Sequence, residues 1–413
     1  MDGRVNQLKS ATGRLHVVFL VRTGGFPMGM ASTQRVRLLG RALVEQGVDM
    51  KVLCLRVSER PGEVLNSRVR GISDGISFLY TPGSTVRSGS FSVRRYREIR
   101  GYVVALIELA RLRRTVQLDC VCLSENAARW HLSVWLMRRL LAAMGVPIAV
   151  QLNEQPSDIT WLPNMLSRRL SHLDAVDGAL AISSSLSWWA RHEADRIGRR
   201  VLIAEVPIVV DAYESSPTKQ GGQPSSSFVY AASHAYSGDR RFLLRAMTHV
   251  WRHHPDARLI VLGTELAELA VLARFEGLDG IVGDGRIVAK GYVTRSELLA
   301  QYRQAAALLV PLHDDIVSRA RFPSKIGEYL ASGRPVVTTQ IGEIGRFLRD
   351  GETAFVAETP DVEEFAAKMV DALDDPASAA RIGAAGRRVA EKHFQYDLHA
   401  ERLHAFFKGI AER

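Results

Sequence analysis

Short, almost purely apolar runs recur along the chain at 17–21 (VVFLV), 51–55 (KVLCL), 120–123 (CVCL), 148–152 (IAVQL) and 179–182 (ALAI). Each is too short for a helix and too uniformly apolar for a strand with one wet face, which predicts strands buried on both sides. Between them lie longer stretches with helical apolar spacing, such as 32–46 and 131–144. Alternating strands and helices make a parallel sheet the economical solution, because parallel neighbours need a crossover and the crossover helix covers the sheet. The pattern breaks at 214–227 (ESSPTKQGGQPSSS), poor in apolar residues and rich in Ser, Pro and Gly, which predicts a loop or linker. It restarts with apolar runs at 228–232, 258–262, 287–289, 307–310, 335–338 and 354–356. The expected fold is α/β: two Rossmann-like, doubly wound parallel-sheet domains with an interdomain cleft at the C-terminal edges of their sheets. A chain of 413 residues divides naturally into two domains of roughly 200 residues each.

Apolar residues make up 46% of the chain and charged residues 24%, a globular balance that excludes wholesale disorder. No apolar run reaches the roughly 18 residues of a membrane-spanning helix; 103–107, for example, ends at Glu108. The charged N-terminal stretch leads only into the brief 17–21 run, which reads as a first strand rather than a signal sequence, so a cytoplasmic protein is expected. Cys54, Cys120 and Cys122 form no even disulfide set, and the last two alternate within a strand pattern, so all three are expected as reduced core residues. No His, Cys or acidic spacing suggests a metal site. A net charge of +10 predicts an anionic partner. Arg94, Arg95, Arg97, Arg100, Arg111, Arg113 and Arg114 surround the apolar stretch 102–109. That basic amphipathic segment suits peripheral contact with an anionic membrane, a solvated surface helix being the plainer alternative. Nucleic acid has only the net charge behind it and is not expected as a partner.

The stretch 322–339, FPSKIGEYLASGRPVVTT, spells a polar turn, a short helix, a stop and a buried strand. Ser324 takes the expected N-cap, Gly333 the glycine position past the C-terminus, and Pro335 opens the strand. Lys325 then falls on the first turn. A helix N-terminus offers unpaired N–H groups and a partial positive charge, to which Lys325 adds a full one, and phosphate is the natural guest. Glu328, about one turn on, can accept both protons of a vicinal diol such as ribose. A nucleotide fits the pair; an ordinary capped helix with both side chains solvated is the alternative.

These residues resemble the C-terminal domain of the retaining GT-B glycosyltransferases of family four, the group 1 glycosyl transferases. Phe322-Pro323, Glu328, Ala331, Gly333 and Pro335-Val336-Val337 follow that family's donor-site pattern, and Asp350-Gly351-Glu352-Thr353 matches its later turn. The tail 372–394 (ALDDPASAARIGAAGRRVAEKHF) is similar to its closing helices, and Gly24-Gly25-Phe26-Pro27 resembles its glycine-bearing loop. The resemblance implies a metal-independent, retaining hexosyltransferase that moves a sugar from a UDP- or GDP-linked nucleotide sugar, without a further cofactor, to a glycan or lipid-linked acceptor. It implies a place in bacterial surface polysaccharide or glycolipid synthesis, in the cytoplasm and peripheral at the inner face of the plasma membrane. Donor binding is implied for Gly24, Gly25, Gly263, Tyr292, Val293, Arg321, Ser324, Lys325 and Glu328. On this reading 1–212 is the acceptor domain, 213–227 a linker, 228–394 the donor domain and 395–413 a helix packing back across the cleft.

The chain departs from the family pattern at three places. The family usually carries two donor-site glutamates separated by seven residues, and the first position here is Ala320. Where the family has an Arg and a Lys-Gly pair touching diphosphate, this chain reads SHAYSGDRR (233–241), so Arg240, Arg241 or Lys325 must supply the charge, and Arg240 is the expected substitute. The His often found after the strand at 148–152 is replaced by Asn153-Glu154, expected to hold a sugar or acceptor hydroxyl in the catalytic region. His313 is the best-placed catalytic histidine, with His131 and His234 read as structural. Two other readings compete. A nucleotide-sugar epimerase on the same scaffold would need acid and base groups, for which Glu154 and His313 are the candidates. A catalytically inactive homologue acting as a binding partner is favoured by Ala320 and the missing Lys-Gly pair. A dinucleotide-dependent oxidoreductase is disfavoured, since Gly24-Gly25 with Gly29 lacks the G-x-G-x-x-G spacing.

Overall fold

The computed structural model describes residues 14–62, 64–124, 132–156, 171–214, 226–232 and 236–413. His131, His234 and most of the predicted 213–227 linker lie outside them. The chain forms two compact units, Met1–Val209 with Tyr396–Arg413, and Val210–Gln395.

The first unit holds β1 (His16–Val21), β2 (Asp49–Cys54), β3 (Arg70–Ser73), β4 (Ile76–Tyr80), β5 (Cys120–Ser124), β6 (Ile148–Leu152), β7 (Gly178–Ala181) and β8 (Leu202–Glu205). They form one eight-stranded sheet in the order β3-β4-β2-β1-β5-β6-β7-β8. Every pairing is parallel except β3 with β4. The five predicted strands are present, and β3, β4 and β8 join them. β3 and β4 meet in a two-residue turn at Asp74-Gly75, whose φ angles of 51° and 75° are both left-handed, the turn that matches the natural twist of a hairpin. Asp-Gly was the signal for it. β3 and β8 have no fully buried residue, so neither writes the apolar run that marks the interior strands.

One face of this sheet packs Val17, Phe19 and Cys122 against Val36, Leu39 and Leu43 of the helix Ala31–Glu45. Leu403, Phe406, Phe407 and Ile410 of the helix Ala400–Ala411 complete the same core, with the Phe19 and Phe407 rings 5.9 Å apart. The last segment, expected to pack back across the cleft, belongs to the first unit. Its Phe and Leu residues at helical spacing cover sheet that the earlier helices leave bare. Cys54, Cys120 and Cys122 are free and buried, and burial pushes the Cys54 and Cys122 thiols up to about 12.

The second unit holds β9 (Ser227–Ala231), β10 (Arg258–Leu262), β11 (Ile287–Lys290), β12 (Ala307–Val310), β13 (Val336–Thr339) and β14 (Phe355–Ala357). Their order is β11-β10-β9-β12-β13-β14, parallel throughout. The chain builds outward from β9 through β10 to β11, then crosses to β12 and builds the other way. Loops leaving the C-terminal ends of β9 and β12 run in opposite directions, and the crevice between them is the natural ligand site of such a sheet. The helix Pro376–His393 lies close behind: a Cβ on Gly383 would stand 2.4 Å from the Gly333 carbonyl oxygen, so only glycine allows this approach.

Candidate functional site

The helix Ser324–Ala331 begins one residue earlier than expected. Pro323 is its N-cap, at φ −62° and ψ 120°, and Ser324 is the first helical residue and makes no side-chain cap. Proline's φ suits the helix entry, but its side chain has no acceptor, so Pro323 gives the first N–H groups of the helix no side-chain cap. Gly333 follows the helix with φ 76°, as its position predicted.

Around the start of this helix the second unit gathers a cluster of charged and aromatic groups. Lys325 is half-buried, its Nζ 4.4 Å from the centre of the Tyr230 ring and 5.4 Å from that of Tyr236. The Arg321 guanidinium sits 5.1 Å from the Tyr236 ring centre. Ring faces attract cations, which lets two positive charges share a small space. Burial pulls the Lys325 ammonium down to about 8, with the Asp239 charge opposing and Arg321 assisting.

Asp239 lies in the first turn of the helix Ser237–Val250 and is buried. It accepts a 2.7 Å hydrogen bond from the Tyr230 hydroxyl and faces His313 Nε2 at 3.2 Å. Burial acts to raise its carboxyl, but His313, Lys325, the Tyr230 hydroxyl and Arg321 outweigh it and hold the group below its ordinary value. Asp239 is the anion that balances the cluster. Nε of Arg321 is buried without a hydrogen-bond partner among the described residues. A buried polar group left so is costly, by about 1–3 kcal/mol, and at a strand-end crevice it marks a place for a ligand atom.

Arg240, the expected phosphate base, is directed elsewhere. It is 1% exposed; Nη1 donates to Thr264 Oγ1 and Nη2 to Glu268 Oε1, each at 2.8 Å. The helix explains the exchange: neighbours in sequence project about 100° apart, so Asp239 and Arg240 cannot both face Tyr230. Asp239, Tyr230 and Tyr236 were not singled out from the sequence. An acidic residue in the first turn of the helix after a buried strand was the available signal.

Glu328, one turn along its helix, accepts a 2.7 Å bond from Arg295 Nη1, and Arg295 Nη2 lies 3.5 Å from Glu214 Oε2. Burial acts to lower Arg295, but the Glu328 and Glu214 charges outweigh it and raise it above its ordinary value, so the guanidinium stays charged. Thr294, just before Arg295, caps the helix Arg295–Gln304 in a reciprocal capping box with Glu297. That cap fixes the turn carrying Tyr292, which is exposed, and Val293, which is half-buried. Gly263, after β10, has φ 85° and donates its N–H to the carbonyls of Lys290 and Gly291, both at 2.9 Å. Gly263, Tyr292, Val293 and Glu328 are thereby tied into one neighbourhood through the 290–295 turn. Ala320 is buried in the helix Ile316–Ala320.

The remaining predicted residues belong to the first unit. Gly24 has φ 94°, and the Gly25 carbonyl accepts a 2.8 Å bond from the Thr33 hydroxyl, which fixes the loop onto the helix Ala31–Glu45. Asn153 and Glu154 follow the C-terminal end of β6, both half-buried, and Asn153 Oδ1 is buried without a hydrogen-bond partner among the described residues.

Comparison with known proteins bears on both units. A family described as Glycosyl transferases group 1 matches residues 226–375, so the second unit carries a domain of that family. The chain is 30% identical over 155 residues to glycogen synthase of Mycobacterium tuberculosis, which is 37% of this chain and 35% of that protein. The match thus spans about a third of the curated relative's length. In fold, 96% of the chain superposes on 99% of sucrose-phosphate synthase from Thermosynechococcus elongatus, at a TM-score of 0.72 and 16% identity. A protein of Anabaena, HepE, solved in complex with UDP, superposes over 96% of this chain and 100% of its own, with a TM-score of 0.64 and 12% identity. The fold is therefore GT-B, two Rossmann-like α/β domains.

Proposed function

We propose that this chain is a retaining glycosyltransferase whose second unit binds a nucleotide sugar. The observation that carries the reading is the cluster of Lys325, Arg321 and His313 beside a helix N-terminus, at the turning point between β9 and β12. The group 1 match over 226–375 and the likeness in fold to a protein solved with UDP support it. Lys325, Arg321 and the first N–H groups of the helix Ser324–Ala331 take the diphosphate. Glu328 takes the ribose hydroxyls, with Arg295 occupying one side of its carboxylate and holding it in place. Gly263, Tyr292 and Val293 carry the base of a UDP- or GDP-linked donor.

The bond from the anomeric carbon to the diphosphate oxygen breaks, and the acceptor hydroxyl oxygen attacks from the face the diphosphate leaves. The acceptor's proton passes to a diphosphate oxygen, giving a glycoside of retained configuration and a nucleoside diphosphate. Negative charge grows on the leaving diphosphate as the bond lengthens, and fixed cations and N–H dipoles stabilise it there without a metal ion. His313 contributes beside the sugar, held by Asp239. Gly24 and Gly25 of the first unit serve the donor phosphates, and Asn153 and Glu154 hold a hydroxyl of the sugar or of the acceptor, a glycan or lipid-linked sugar of bacterial surface synthesis at the inner face of the membrane.

Ala320 favours a second reading. A buried methyl group stands where the resemblance expects a carboxylate toward the sugar, which suits a homologue that binds nucleotide without turnover. Thermal stabilisation by UDP, GDP and their sugars, followed by assay of nucleoside diphosphate release, separates the two. Selective stabilisation with release supports the transferase. Stabilisation without release across an acceptor panel supports the inactive homologue, and no stabilisation by any nucleotide overturns both.

A further inference from the structure

We propose that the helix Phe91–Thr115 of the first unit docks on an anionic membrane, with a lipid phosphate entering an arginine-lined pocket at its N-terminal end. The proposal deepens the membrane part of the reading above and rests on it, but not on the donor site.

Gly101, Ala105 and Leu109 form the buried face of this helix. Tyr96, Ile99, Val103 and Ile107 are 65%, 66%, 49% and 62% exposed. At about 100° per residue these four fall within an arc of roughly 80°, opposite the buried face. A packed helix does not need four bulky apolar groups aimed straight at water, and side by side they form a patch rather than scattered surface residues. Leu136 and Leu140 of the helix Leu132–Ala143 are also exposed, and Ser133 of that helix donates a 3.0 Å bond to the Tyr102 hydroxyl, so the two helices lie together.

At the start of the helix is a cavity of about 340 Å³ bordered, among the described residues, by Arg56, Arg87, Arg94, Arg95, Arg97 and one carboxylate, Glu98. Glu98 is shared by Arg56, at 2.5 Å, and Arg95, at 2.6 Å. Arg94 donates to the carbonyls of Ser88 and Gly89, and Arg97 to that of Val86, at 2.7–3.2 Å. Those bonds to neutral oxygens hold the guanidinium groups in place without cancelling their charge. Among the described residues, five cations, four of them held in place, against one anion leave the pocket in want of a phosphate, and the helix N-terminus adds to the same field. A soluble phosphate would satisfy the arginines but leave the apolar row in water. A phospholipid surface satisfies both, with headgroup phosphate in the pocket and acyl chains against Ile99 and Ile107.

The test is co-sedimentation of the full chain with vesicles of phosphatidylglycerol or of phosphatidylcholine alone, at two salt concentrations. The expected result is salt-sensitive binding to phosphatidylglycerol only. Arg87→Glu with Arg95→Glu, and separately Ile99→Asp with Ile107→Asp, should each reduce vesicle binding by roughly tenfold or more. All four positions are exposed and the Arg95–Glu98 pair is a surface one, so the thermal midpoint should fall only slightly. Glycerol phosphate, titrated in solution, should bind the unaltered chain and the aspartate pair but not the glutamate pair. Stabilisation by UDP or GDP, read on the same variants, reports the donor site independently. Absence of binding to phosphatidylglycerol by the unaltered chain overturns the proposal. So does vesicle binding that survives the aspartate pair, or glycerol phosphate binding without vesicle binding, which assigns the pocket to a soluble phosphate.

Discussion

Lys325 joins local structure to function through its charge. Its ammonium falls to about 8 in the folded chain from an ordinary 10.5, so between those values the unfolded chain binds more protons than the folded one. By linkage this group makes stability rise with pH from about 8 to 10.5, the charged form being the one that burial penalises. Nucleotide binding carries the opposite sign, because it needs the charge: affinity for a nucleoside diphosphate should fall as pH passes about 8. Calorimetric titrations from about pH 7 to about pH 9.5 check this, and Lys325→Met should bind weakly with a flat profile. Glu328→Ala should weaken nucleotide binding by about 1–3 kcal/mol, the range for lost hydrogen bonds to a charged group. It also strips Arg295 of its nearer carboxylate, so the thermal midpoint should fall with it. Unchanged affinity would remove Glu328 from the donor site. Lys325 and Glu328 were legible because one short helix carries both. Asp239 was not, because its partners Tyr230, His313 and Lys325 come from separate strand ends.

At the scale of elements, strands buried on both sides announce themselves and edge strands do not. The runs at 17–21 and 307–310 have no alternation because both faces are covered, whereas β3 alternates exposed and half-buried residues and reads as loop. The Asp-Gly pair at 74–75 was the local clue that could have found the hairpin. Helix contacts follow another logic. Gly383 lies in a helix, where alanine is intrinsically better by up to about 1 kcal/mol. Its Cβ would nonetheless meet the Gly333 carbonyl oxygen at 2.4 Å and the Pro335 nitrogen at 2.8 Å, both backbone atoms unable to swing away. Gly383→Ala should therefore destabilise the second unit by about 1–3 kcal/mol net, seen as a lower midpoint in chemical denaturation. A neutral or stabilising result would show that the helix slides to accommodate the methyl group.

The two units have separate cores, one around Phe19 and Phe407 and one around Tyr230, Leu243 and Phe365. Phe407→Ala should cost the first unit about 3–5 kcal/mol, and removing residues 396–413 should abolish its cooperative unfolding while the second unit keeps its transition. Calorimetry that resolves the two transitions, or limited proteolysis that leaves 210–395 intact, checks the outcome; equal loss in both units would refute it. The chain pattern by itself determined the α/β alternation, the two sheets and the helix that carries Lys325 and Glu328. Those properties follow from apolar periodicity and turn residues within a few positions of one another. Only the tertiary structure decided that the last helix fills the first core and that Asp239, not Arg240, faces Lys325. It alone also set the exposed apolar row of the helix Phe91–Thr115 beside an arginine-lined cavity. Each of these depends on which groups from distant segments share a volume, and local spacing does not encode that.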